Sequence, residues 1–80
     1  SKILLLSENC NIVKAINKFK KALKINPKNK EALLYWGNCL LILGYHKVAL
    51  DKIEQALEID TKYYEAHCSK GEYYRLVKIN

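Results

Sequence analysis

The chain predicts an all-α fold of antiparallel helix hairpins, and three observations carry that prediction. Apolar residues recur at three- and four-residue spacing through most of the 80 residues. Short polar or helix-stopping stretches, Ser7 to Asn11, Asn26-Pro27, Gly44-Tyr45 and Asp60-Thr61, divide those runs into helix-sized lengths. The sequence also repeats itself: an offset of 34 residues aligns Leu6 with Leu40, Ala15 with Ala49, Ala22-Leu23 with Ala56-Leu57 and Ile25 with Ile59. The same offset aligns Glu31-Ala32 with Glu65-Ala66 and Gly37 with Gly71, and most of these matches are small or apolar residues of the kind that must fit at helix crossings.

Taken in order, the spacing predicts five helices. Residues 1 to about 8 form the remnant of a first helix, closed by the polar turn Ser7–Asn11. The second runs from about Ile12 to Ile25 on an apolar stripe of Ile12, Ala15, Ile16, Phe19, Ala22 and Leu23. Asn26 precedes Pro27 and is disfavoured in the α region, so the helix ends there. The third helix, Lys30 to Leu43, places Ala32, Leu33, Trp36, Leu40 and Leu43 on one face, and Gly44 supplies the positive φ at which it can stop. The fourth, Tyr45 to Ile59, has the stripe Ala49, Ile53, Ala56 and Leu57, with Asp51, Lys52, Glu54 and Glu58 turned to water. The fifth, from about Lys62 to Val77, repeats the Glu-Ala and Gly landmarks but carries Lys70 where Trp36 stands. Tyr73, Tyr74, Leu76 and Val77 are expected to lack cover on one flank, which makes self-association or a longer array the expected remedy.

The 34-residue period and its landmarks resemble the tetratricopeptide repeat, a helix–turn–helix unit. With Lys30 as the first position of a unit, Gly37 occupies the family's small-residue position and Ala49, Ile53 and Ala56 its three further markers. Ala15, Phe19, Ala22 and Pro27 match the unit before, whereas Thr61 replaces the proline, Leu33 stands where Trp is common, and Ile3 stands where the first unit should have Gly. The resemblance implies one domain with a partial repeat at 1–29, a complete repeat at 30–63 and the first helix of another at 64–80. It also implies hairpins stacked in a right-handed superhelix, an α-solenoid whose first helices line a concave groove. Family positions that touch a partner fall on Glu31, Leu34, Tyr35, Asn38, Leu41 and Ile42, and on Glu65, Cys68, Ser69, Glu72, Arg75 and Leu76.

The expected function is therefore that of a protein-interaction scaffold presenting a groove to a peptide segment of a partner. Leu34, Leu41 and Ile42 lie off the core stripe and are expected to offer apolar area, unless Leu41 and Ile42 pack against the next helix, and Asn38 can pair with a peptide backbone. Relatives that clamp a C-terminal carboxylate use Asn, Lys and Arg where this chain has Tyr35, Glu65 and Ser69, so that role is not expected.

Charge supplies a second reading. Residues 1 to 30 carry eight Lys against one Glu, whereas residues 31 to 80 carry six Lys or Arg against seven acids. Lys14, Lys18, Lys20, Lys21 and Lys24 crowd one helix, either as a solvated outer face or as a patch for nucleic acid or an acidic partner. Only Phe19 is aromatic among them, which argues against specific single-strand recognition, so a nucleic-acid partner is not expected.

No catalytic grouping is evident. His67 and Cys68 are adjacent on one helix, so their side chains diverge by about 100°. Glu54 and Glu58 lie one turn apart beside Lys52 and Lys62, and no Gly-rich phosphate loop exists. Cys10, Cys39 and Cys68 form no close pair, and with His46 and His67 they lack zinc-ligand spacing. They read as reduced, small hydrophobes, so neither enzyme activity, metal nor cofactor is expected. SKILLL is too short for a secretory signal, and the longest apolar run, Leu40 to Leu43, is too short for a membrane span, so the expected location is the cytoplasm. Ser1 in place of Met suggests a fragment or a processed chain.

Overall fold

The computed structural model describes residues 6–79, and every described element is helical: α1 (Leu6–Ile25), α2 (Lys30–Leu43), α3 (His46–Ile59) and α4 (Tyr64–Ile79). Four helices therefore replace the expected five. Ser7–Asn11, expected as a turn, is the opening of α1, and Cys10 lies in that helix rather than in a loop. The segment contains neither Gly nor Pro, and its Ser and Asn residues cost at most about 0.7 kcal/mol each in a helix, too little to halt one. The expected first helix otherwise falls on residues 1 to 5, outside the described ones.

Local chemistry accounts for each remaining boundary. Asn29 caps α2, its Oδ1 accepting the Ala32 backbone N–H at 3.1 Å. At the other end Gly44 adopts φ 94°, and the N–H groups of Gly44 and Tyr45 return to the carbonyls of Leu41 and Leu40 at 3.1 and 2.9 Å. That pair of bonds is a Schellman end, whose left-handed residue Gly supplies without a Cβ penalty.

The α1–α2 and α3–α4 connections are built alike. Asn26 Oδ1 accepts the Lys28 N–H at 3.1 Å, and Asp60 Oδ1 accepts the Lys62 N–H at 3.1 Å. In both loops the same backbone bonds follow: Asn29 N–H to Asn26 O and Tyr63 N–H to Asp60 O, each 3.1 Å. Thr61 thus forms the turn that Pro27 forms one repeat earlier, because the Asx side chain before it, not the proline ring, closes the loop.

Each helix packs on the next in sequence, α2 against α3 most extensively, and α2 also touches α4. Among the described residues α1 meets neither α3 nor α4. The core lies along the α2–α3 seam and consists of Leu33, Leu34, Leu40, Leu41, Ala49, Ile53 and Ala56, extended by Ile16 from α1 and by Tyr63 and Ala66 at α4. Alanines set the depth of the seam: Ala49, Ala56 and Ala66 are wholly buried and let backbones approach. Gly37 goes further, since a Cβ there would lie 2.9 Å from Ile53 Cγ1 and 3.1 Å from the Ala49 carbonyl. Tyr73 and Leu76, expected to lie open, pack against this core, whereas Tyr74 and Val77 remain exposed.

Candidate partner groove

α2 has three helical neighbours, so its buried arc is wide, and only a narrow stripe is left for a partner. Glu31, Tyr35, Asn38 and Ile42 form that stripe at intervals of three and four residues. Tyr35 is 49% exposed and Ile42 58%. Leu34 and Leu41 do not belong to it. They are 1% and 8% exposed, members of the core, and so cannot offer the apolar area expected of them. The expectation assumed one apolar stripe per helix; a helix flanked on three sides buries residues well off that stripe.

α4 contributes the adjoining residues. The Ser69 hydroxyl donates to Asn38 Oδ1 at 2.7 Å, joining the two helices across the middle of the stripe. Asn38 therefore spends one acceptor position inside the protein, and its amide N–H groups stay free for a ligand. Glu65, Cys68, Glu72 and Arg75 are exposed, with Arg75 ion-paired to Glu72 one turn earlier on the helix. Leu76 is half-buried against the core and supplies the floor rather than an anchor. The Tyr35 ring stacks tilted on Phe19 of α1 at 5.8 Å, which holds it in place at the α1 edge.

The α2–α4 face carries the exposed acids Glu31 and Glu65 near the start of the two helices. Lys30 pairs with Asp60 at 2.5 Å and lies 4.8 Å from the Tyr63 ring centre, tying the start of α2 to the loop before α4. The hydrogen bond from Lys30, then that from the Lys62 N–H, holds the Asp60 carboxyl below its ordinary 3.8. The same hydrogen bond, with the fields of Asp60, Glu31 and Glu65, raises Lys30 above 10.5 against the effect of desolvation. Burial first, then Glu31 and other nearby groups, raises the buried Tyr63 phenol above 10.0. Neither Tyr63 nor this ion pair was legible beforehand, since nothing local in the sequence links positions 30 residues apart.

The ion pair gives a pH signature. Its contribution is present above the ordinary carboxylate value, fades as pH falls below 3.8 through the lowered Asp60 value, and fades again above 10.5. Asp60→Asn keeps the Oδ1 acceptor for Lys62 but removes the charge. The variant should be less stable than the parent at neutral pH, and the gap should close in acid below 3.8. Denaturation midpoints measured from acid to neutral pH check this; a gap that persists in acid would contradict it.

Elsewhere the geometry pairs groups away from chemistry. His67 Nε2 lies 2.8 Å from the Thr61 carbonyl, while the interaction with Cys68 one turn on raises the Tyr64 phenol above its ordinary 10.0. Glu54 is bridged to Lys70 at 3.3 Å rather than coupled to Glu58. Cys39 is half-buried and burial pushes its thiol up. Among the described residues no three of His, Cys, Asp and Glu are grouped to hold a metal ion, and no helix is long and apolar enough to cross a membrane.

One arrangement escaped the sequence. Trp36 does not close the core; it is half-buried, with the Lys52 ammonium of α3 4.2 Å and the Lys20 ammonium of α1 5.6 Å from its ring centre. The helical stripe placed Trp36 inward, and no spacing rule connects Lys20 with Lys52. No protein-family model, curated protein or solved structure matches the chain.

Proposed function

We propose that the chain is a tetratricopeptide-like array of stacked helix hairpins that acts by binding, without catalysis, and that the α2–α4 face holds a segment of a partner protein. The observation that carries this reading is the packing order: α2 touches α4, yet α1 touches neither α3 nor α4. A closed four-helix bundle would bring first and last helices together. Successive layering instead leaves one face of α2 and α4 side by side, as in a right-handed solenoid. The duplicated Asn26 and Asp60 turns, one 34-residue period apart, support the same repeat unit.

The exposed residues define the partner's chemistry. Tyr35 and Ile42 offer apolar contact, and Glu31, Glu65 and Glu72 outnumber the one cation, Arg75. A segment with a large apolar residue flanked by Lys or Arg complements that face, the apolar side chain giving affinity and the charges orientation.

Peptides selected from a random library against the intact chain should share that pattern. Binding of a selected peptide should weaken at least about 10-fold on Ile42→Asp, in keeping with a central apolar anchor worth about 1.4 kcal/mol or more. Lys14→Gln with Lys21→Gln should leave it unchanged. Selected peptides that bind Ile42→Asp as tightly as the parent would refute the groove.

A further inference from the structure

Residues 9 to 30 contain seven lysines and no Asp or Glu. On α1, Lys14, Lys18 and Lys21 follow one another at i, i+4 and i+7, so they share the solvent-facing stripe at rises of about 6 and 4.5 Å. Asn11 and Asn17 are exposed beside them. Lys20 and Lys24, four residues apart, line the flank of α1 nearer Trp36. None of the five α1 lysines takes part in an ion pair among the described residues, whereas Lys30 pairs with Asp60.

Packing extends this surface beyond one helix. Lys52 reaches the same indole ring from α3, so the Lys20 and Lys52 ammonium groups lie within about 10 Å of each other, about a Debye length at 0.1 M salt. Two cations at up to that separation repel only weakly through solvent, and an anion beside them is attracted by both. Among the described side chains, the outward-facing acids lie off α1: Glu31 on α2, Asp51, Glu54 and Glu58 on α3, and Glu65 and Glu72 on α4. Charge is thus segregated, with a cationic α1 flank and an anionic groove, and an approaching polyanion is oriented onto α1.

We propose that this surface binds the phosphate backbone of duplex nucleic acid without reading its sequence. The groups presented are ammonium and amide donors, the side chains that contact phosphates and position a protein on a duplex. On this surface no aromatic face is free for a base: Phe19 is stacked on Tyr35, and Trp36 lies beneath two ammonium groups. A lipid surface is less well matched, because an interfacial helix inserts an apolar face and that of α1, centred on Ile16, is buried against the protein. An acidic protein would need central apolar anchors. Val13 and Ile25, the exposed apolar residues of α1, lie near the two ends of the lysine row.

The test is titration of the intact chain into two labelled 20-base-pair DNA duplexes of unrelated sequence, followed by anisotropy and by the emission of Trp36, the single tryptophan. Both duplexes should bind alike, with Kd on the order of 1–100 μM near physiological salt, and log K should fall against log salt with a slope of about −3 to −5. Trp36 emission should change on binding. In the triple variant Lys14→Gln, Lys18→Gln and Lys21→Gln the slope should flatten by about 2 to 3, and affinity at 0.1 M salt should drop about 10-fold or more. Lys70→Gln with Lys78→Gln on α4 should change neither, and far-UV circular dichroism should show both variants folded. The proposal is overturned if the duplexes do not bind, if the α4 variant loses as much as the α1 variant, or if one duplex sequence binds much more tightly. Tighter binding to phosphatidylserine vesicles or to polyglutamate at equal charge concentration overturns it equally, and would assign the surface to lipid or to acidic protein.

Discussion

Leu34→Ala should lower the stability of the chain by about 2–5 kcal/mol, the range for truncating a fully buried Leu. Leu34 is 1% exposed and, with Ile53, is one of the two largest wholly buried side chains. In a domain of this size total stability is on the order of 4–12 kcal/mol, so the loss is a large share of it. The melting temperature should fall by roughly 4–8 °C per kcal/mol, which thermal circular dichroism reads directly. A groove residue would behave otherwise: Ile42→Ala, at a site 58% exposed, should change stability by no more than about 0.5 kcal/mol. If Leu34→Ala melted like the parent, the burial assigned to α2 would be wrong.

Gly37→Ala and Gly71→Ala should have opposite signs although the two glycines are one repeat apart. A Cβ at Gly37 meets Ile53 Cγ1 at 2.9 Å and the Ala49 carbonyl at 3.1 Å, and Ile53 is wholly buried. The side chain has nowhere to retreat and the carbonyl belongs to the α3 backbone, so the α2–α3 seam must open. Overpacking of that kind costs about 1–3 kcal/mol, against a gain of up to about 1 kcal/mol in helix propensity. The net expectation is a loss of up to about 2 kcal/mol. At Gly71 a Cβ meets nothing within 4 Å, so propensity acts alone and Gly71→Ala should stabilise by about 0.5–1 kcal/mol. Urea denaturation of the two variants decides the matter. Equal shifts of the same sign would mean that the α2–α3 seam is looser than described.

These two pairs also mark what the residues alone disclose. The end of α2 at Leu43 follows from Gly44, because a positive φ is a local requirement that few residue types meet, whereas helical spacing does not disclose the Asn29 cap. Ala49, Ile53 and Ala56 follow from the period, since a helix crossing selects small residues at fixed spacing. The polar run Ser7–Asn11 misleads because polarity is compatible with an exposed helix as readily as with a turn, and only Gly or Pro would have forced the issue. Leu34 and Leu41 mislead for another reason. Periodicity gives the direction of each side chain around the axis, but not how many neighbouring helices surround that axis. The Trp36 arrangement is of the same kind, joining α1, α2 and α3 through groups separated by 16 residues on each side.

Packing that places α2 beside α4, with α1 on α2 but clear of α4, is the feature on which the proposed groove rests, and nuclear Overhauser contacts in the isotope-labelled chain test it most directly. Contacts between the side chains of Asn38 and Ser69 and between Gly37 and Ile53 are expected, with none between α1 and α4. A set of contacts joining α1 to α4 would close the helices into a bundle, remove the open face of α2 and α4, and contradict the account.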